Sequence, residues 1–244
     1  KVDEELIKDY LDIIKIITIA PEIEGHMDFI RVMHQHSPIR FSIGHSNATY
    51  EEAMDAIEAG IKSATHIFNA MSGLNHREPG VAAAVLNSDI YCELIADKIH
   101  VHPAMFKLLL NTKGSDKLIL ITDAMRAACM KHGVYSLGGQ PVTVEQGTAK
   151  LSDGTLAGSV LQLKTAVKNL WESTDLPLHQ VISTVTINPA KLLGLDNELG
   201  SIEAGKKADI IIFDENIDVQ ATFIEGKRIL PVWCQAPQIQ DLKL

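Results

Sequence analysis

The chain has little cysteine, no long apolar run and no excess of positive charge, and each shortfall removes a class of function. Its three cysteines, Cys92, Cys129 and Cys234, are odd in number and far apart. They make neither a disulfide framework nor a CxxC metal knuckle, which points to a reducing compartment. No apolar stretch approaches the ~20 residues that a membrane-spanning helix needs. No secretory signal is read either, so the expected location is cytoplasmic. Lys and Arg number 22 against 31 Asp and Glu, a formal net charge of −9. That sign disfavours nucleic acid and anionic membrane as partners, although a local Arg/His cluster can still receive a small anionic substrate. The chain opens without Met, on Lys-Val-Asp-Glu-Glu, and this start is expected to lie inside a domain.

At 244 residues, 46% of them hydrophobic, the chain is long enough for one large domain or one and a half. Residues 13–20 (IIKIITIA) read as a strand buried on both faces. A helical stretch at about 24–36 and a strand at 40–44 follow. Thr49-x-x-Glu52 is a capping box opening a helix that closes at Gly60. Further strands are expected at about 63–67, 90–96 and 117–122, with helices at about 79–87 and 103–112, the last opening on Pro103. Such alternation predicts right-handed βαβ units and a parallel sheet of five strands before residue 125. Residues 133–156 are Gly-rich with alternating apolar positions, an expected β excursion. Helices are expected at about 158–173, with Leu163, Val167, Leu170 and Trp171 at helical spacing, at about 178–187, and from Pro189 to Gly194. The tail reads as a β ladder turning at Glu225-Gly226. The division expected is an α/β portion over 1–195 and a small β element over 196–244.

Three strand ends change abruptly from apolar to polar: RFSIGHSNA around His45, SATHIFNAM around His66 and LILITDAM around Asp123. A parallel α/β protein presents metal ligands and proton carriers in this way, at the carboxyl ends of its strands. His45 and His66 are one βα unit apart, so both imidazoles could reach one metal ion; the alternative is two unrelated loop histidines. Asp123 could accept a proton from an activated water, or cap whatever follows it. Arg77, in NHREPG, could grip a phosphate or carboxylate bidentately, or pair at the surface with Glu78. Of His100 and His102, His100 is expected to face the site, because Pro103 suggests that His102 is already turning into a helix. His34-Gln-His36 resembles a metal pair but falls on a helix, where residues two apart point away from each other. Gly200-x4-Gly205-Lys206 imitates a phosphate loop but leads to a strand, with Lys207 where Ser or Thr is needed.

Taken together, GHSNAT, THIFNAM, REPG, ADKIHVHP, ITDAM and GTLAGS, in this order, resemble the N-acetylglucosamine-6-phosphate deacetylase family of the amidohydrolase superfamily. The tail NPAKLLGL…LGSIEAGKKADIIIFD is similar to the end of many amidohydrolases. The resemblance implies a TIM-like (β/α)₈ barrel of metal-dependent hydrolases with a small β-sandwich. It implies that His45 and His66 bind a divalent metal, Zn²⁺ or Fe²⁺, and that Asp123 is the catalytic acid/base. Asn69 and Ala70 match a backbone segment that holds the sugar phosphate, and Arg77 an arginine reaching into the neighbouring site of a homodimer. His100, on the loop from Asp97, matches a substrate-contacting histidine, and Leu156, Ala157 and Gly158 a substrate-side loop. The implied partner is a phosphorylated amino sugar, cleaved to glucosamine 6-phosphate and acetate.

Two departures stand out. Lys98 occupies a place where Gly is common. The HxEGP motif that supplies the third metal ligand is absent, and TIAPE matches the strand after that ligand, so neither Glu22 nor Glu24 is assigned to it. The five strands then correspond to the fourth to eighth of a barrel, with the third ligand expected from outside this chain. A different N-acyl substrate, or a catalytically incomplete fragment, are the alternatives.

Overall fold

The computed structural model describes residues 7–229 apart from Gln146. Cys234 therefore lies outside the described residues. Five short strands alternate with helices: β1 (Ile16–Ile19), α1 (His26–His36), β2 (Arg40–Ile43), α2 (Tyr50–Ala59), β3 (Ile61–Ala64), α3 (Gly80–Leu86), β4 (Tyr91–Ile95), α4 (Pro103–Lys113) and β5 (Leu118–Ile121). The strands form one all-parallel sheet in the order β1-β2-β3-β4-β5. Sequential order with a helix after each strand is the arrangement of a barrel arc, since a doubly wound sheet would reverse its order partway.

Register explains how this arc packs. Phe41, Ile43, Ala64, Cys92, Leu94, Leu118 and Leu120 join one core with Phe29, Ile30, Phe106, Leu109, Val167 and Leu170 of the helices. Phe29 meets Phe41 edge-on, with ring centroids 5.7 Å apart. The other sheet face carries Thr18, Ser42 and Ser63 in register, and Glu93 two positions beyond Tyr91. Thr65 Oγ1 lies 3.0 Å from Thr18 Oγ1 and 2.7 Å from Ser42 Oγ. The expectation that β1 is buried on both faces is therefore corrected: Ile19 is buried, but Thr18 is exposed on the concave face.

Local signals hold at most helix ends. Thr49 and Glu52 form the capping box, and Gly60 closes α2. Pro103 occupies the first turn of α4, whose N-cap is His102, the ring accepting the N–H of Ala104 at 3.2 Å. Lys113 is buried and donates to Val85 O at 2.9 Å and also to Ser88 O, tying the end of α3 to α4.

After β5 the chain makes a three-stranded antiparallel sheet, β6 (Gly133–Leu137), β7 (Gln140–Glu145) and β8 (Thr148–Lys150), as the alternation predicted. Helices α5 (Leu163–Ser173), α6 (Leu178–Ser183) and α7 (Ile187–Leu193) follow. Helix α5 starts five residues later than expected, because Gly158 bends the chain and Ser159 bridges Ala124 beyond the end of β5. Helix α7 crosses the amino ends of the strands: Asn188 Nδ2 donates to Ser115 O and Leu118 O at 2.8 and 2.7 Å, and Arg40 Nε donates to Leu192 O at 3.3 Å. Finally β9 (Ile210–Phe213), β10 (Val219–Ile224) and β11 (Lys227–Ile229) form an antiparallel sheet in the order β11-β10-β9. Phe213 and Ile217 anchor it to the main core.

Candidate active site

Strands β2, β3 and β5 each end two residues before His45, His66 or Asp123, and all three of these residues have left-handed backbone, with φ of 50°, 34° and 46°. His and Asp tolerate that region better than branched or bulky residues do. The conformation breaks the strand sharply, and non-glycine residues so held cluster at functional sites. Nothing in a single sequence forecasts it.

The turns bring the two imidazoles together. His45 Nε2 lies 3.0 Å from His66 Nε2, with ring centroids 4.7 Å apart and planes at 78°. Two imidazole nitrogens bonded to one zinc ion at about 2.0–2.1 Å each stand roughly 3.3 Å apart in tetrahedral geometry, so this pair fits one divalent cation. His66 is buried, and its Nδ1 has no partner among the described residues. Burial, then the neighbouring His45, lowers the His66 pKa from its ordinary value against the opposing pull of Asp123. A neutral imidazole is the form that binds a metal. Among the described residues no three His, Cys, Asp or Glu side chains converge as a metal site, so the two histidines stand without a third such group.

Asp123 is exposed, and the chain beyond it makes turns and then β6, so a capping role has no helix to serve. Its carbonyl accepts the Ser159 N–H at 3.0 Å, Met125 N–H donates to Ser159 O at 2.9 Å, and Ser159 Oγ donates to Thr122 O. This stitching sets Gly158 beside Asp123, while Ala157 packs with Met125 and Ala127 and Leu156 bridges Lys150; Gly158 has φ of 67°, and a Cβ there would lie 3.4 Å from Met125 Cβ.

Asn69 follows His66 in the same loop, its Nδ2 donating to His66 O at 3.3 Å and Ile67 O at 3.2 Å. Ala70 is exposed with φ of 47°, and its carbonyl accepts the Ser46 N–H at 3.1 Å. His100 lies beyond β4, its Nδ1 on Asp97 Oδ2. Arg77 is exposed further along the Asn69 loop, and among the described residues it makes no ion pair with Glu78. His34 and His36 are exposed on α1, and the Gly200–Gly205 segment leads to β9 through turns, as expected of both imitations.

Sequence reasoning passed over one carboxylate, Glu93, and left another, Glu22, without a role. Glu93, the one charged residue in YCELIA, is pushed up to about 7 by burial, opposed by the His66 backbone N–H and assisted by Asp123. A charge inside an apolar strand was its signal. Glu22 binds the loop after His45, and nothing in its sequence context marks that contact.

The arrangement has known counterparts. The sequence profile of the Amidohydrolase family matches residues 18–235. The N-acetylglucosamine-6-phosphate deacetylase of Bacillus subtilis (strain 168) is 44% identical over 92% of this chain and 58% of its own length. The N-acetylgalactosamine-6-phosphate deacetylase of Escherichia coli O157:H7 is 39% identical over 88% of this chain and 56% of its own. The crystal structure of the N-acetylglucosamine-6-phosphate deacetylase of Pasteurella multocida superposes with a TM-score of 0.88 at 37% identity, over 93% of this chain and 60% of that one. The chain thus spans under two thirds of the length of these relatives. Its parallel strand order, its paired strand-end histidines and a profile match across most of its length agree, and the chain belongs to the amidohydrolase family.

Proposed function

We propose that the protein carrying this chain is a metal-dependent amide hydrolase that deacetylates N-acetylglucosamine 6-phosphate to glucosamine 6-phosphate and acetate. The observation that carries this reading is the His45–His66 pair at 3.0 Å, with Asp123 near enough to shift the ionisation of His66. His45 and His66 would hold a divalent cation, Zn²⁺ or Fe²⁺, with a third protein ligand from outside this chain. That cation supplies Lewis acidity for the attacking water and the amide carbonyl. Asp123 takes the proton from the attacking water as the C–O bond forms, then delivers it to the departing amine as the C–N bond breaks. Backbone groups of Asn69 and Ala70 receive the phosphate, His100 and the Leu156–Gly158 loop contact the sugar, and exposed Arg77 serves the neighbouring site of a cytoplasmic homodimer. The barrel portion takes in residues 1–195 and the β-sandwich portion 196–244.

Asp123→Asn tests the mechanism: acetate release should vanish while the cation stays bound, and full activity in the variant would overturn it. Other phosphorylated N-acyl amino sugars are a second reading, favoured by the relative named an N-acetylgalactosamine-6-phosphate deacetylase. Turnover of the two epimers, with and without the 6-phosphate, separates these. If the isolated chain takes up no stoichiometric metal and releases no acetate, the reading as an incomplete piece of the catalytic unit holds for it.

A further inference from the structure

Glu22 lies in the turn between β1 and α1, and its two carboxylate oxygens have separate tasks. Oε2 accepts the Ser46 hydroxyl at 2.7 Å, and Oε1 accepts the Asn47 N–H at 2.6 Å. Both bonds are charge-assisted, the stronger class. Ser46 is 1% exposed and follows left-handed His45 directly. Its Oγ also accepts the Ala48 N–H at 3.2 Å, its own N–H donates to Ala70 O at 3.1 Å, and its carbonyl accepts the Ser72 N–H at 3.0 Å. One carboxylate thereby joins three successive strand-end loops: its own, the loop of His45 and the loop of Asn69 and Ala70.

We propose that Glu22 is a positioning residue for the candidate metal site. It holds the backbone turn that aims His45 at His66 and, through Ser46, keeps the Ala70 carbonyl in register with that turn. The role rests on the reading of His45 as a metal ligand. A left-handed histidine persists only where its surroundings over-determine it, and on the carboxyl side of His45 those surroundings are Ser46 and Asn47, both bonded to Glu22. With each oxygen engaged by a donor, Glu22 acts on the site through His45.

The test uses Glu22→Gln in this chain. The amide keeps the size of the carboxylate but loses its charge, and its NH₂ can meet Ser46 only if that hydroxyl turns from donor to acceptor, so both bonds weaken. In the metal-free chain the ¹⁵N imidazole signals of His45 and His66 should move, because their Nε2 contact loosens. The signals of His102, which caps α4, should stay, and exchange of the Asn47 amide should quicken about tenfold or more. Zn²⁺ affinity should fall roughly 10–100-fold, the usual penalty for losing a group that orients a ligand. Faster Asn47 exchange with both imidazole signals unmoved would overturn the proposal, as would no change anywhere. Should Glu22→Gln disturb His102 as well, Ser46→Ala replaces it, with the same imidazole signals deciding. His45→Asn separates the two readings. If it leaves the Zn²⁺ uptake of the parent chain unchanged, the ligand assignment falls; if the parent chain takes up none, the metal-free signals alone decide whether Glu22 holds His45.

Discussion

His100 Nδ1 stands 2.6 Å from Asp97 Oδ2, and the two side chains are 9% and 8% exposed. Asp97 Oδ1 also accepts the N–H groups of Ile99 and His100, each at 2.8 Å. Burial alone would raise the Asp97 carboxyl, but the His100 ring and the two backbone donors hold it below its ordinary value. A carboxylate so placed fixes which ring nitrogen carries hydrogen and leaves Nε2 for a ligand. On the proposed reading of His100 as a substrate contact, Asp97→Ala should raise KM for N-acetylglucosamine 6-phosphate more than it lowers kcat, by roughly 10–100-fold on the precedent of orienting carboxylates. Steady-state kinetics, with ¹⁵N signals of the His100 ring to report the tautomer, check it; an unchanged tautomer would discard the idea.

Glu93 makes metal-free stability depend on pH. Its folded pKa is about 7 against an ordinary 4.5. Below 4.5 the carboxyl is protonated in both states and no penalty exists. Between about 4.5 and 7 the unfolded chain releases the proton first, so stability falls as pH rises and levels off above. Glu93→Gln should remove that fall, a difference on the order of 2–3 kcal/mol between pH 4.5 and 8. Urea midpoints of the two proteins across that range give the answer, and parallel curves would show that Glu93 is not the cause.

Lys98 carries φ of 67° where a glycine would be unstrained. Its ion pair with Glu172, at 3.6 Å and partly exposed, contributes little. Lys98→Gly should stabilise the fold by about 0.5–1 kcal/mol, the left-handed strain relieved less the added freedom of the unfolded chain. Lys98→Ala should not. A rise in melting temperature for glycine alone is the expected pattern.

Gly44 precedes His45 and has no space beside it. A Cβ there would lie 2.8 Å from Thr65 Cβ and 2.9 Å from Thr18 Cγ2. Gly44→Ala should therefore cost about 1–3 kcal/mol through overpacking. It should also disturb the imidazole signals of His45, whereas Gly73→Ala, with nothing within 4 Å, should leave them in place.

The sheet was legible because strands such as IITI, YCELI and LILI are largely apolar runs between helical stretches, and some helix ends carry their own chemistry, as at Thr49, Gly60 and Pro103. The paired histidines were legible from their spacing of one βα unit. What escaped depends on contacts between segments distant in sequence. The late start of α5 follows from Ser159 bonding across to Asp123, 36 positions away in sequence. The role of Glu22 follows from a loop 24 residues on. The polar concave face of β1, with Thr18 exposed, is set by a sheet register that an apolar run does not reveal.

The left-handed turns at 45, 66 and 123 also bear on how such a site can be rebuilt. At φ of 34° to 50° the backbone accepts His, Asp and Asn with least resistance and penalises branched side chains. A library that exchanges ligands among those three types adds little conformational cost beyond what the surroundings of each turn already offset. One that introduces Glu or Cys adds a backbone penalty of roughly 1 kcal/mol per position before any metal is bound. The alphabet open to redesign at this mouth is therefore narrowed by torsion angles as well as by the preferences of the ion.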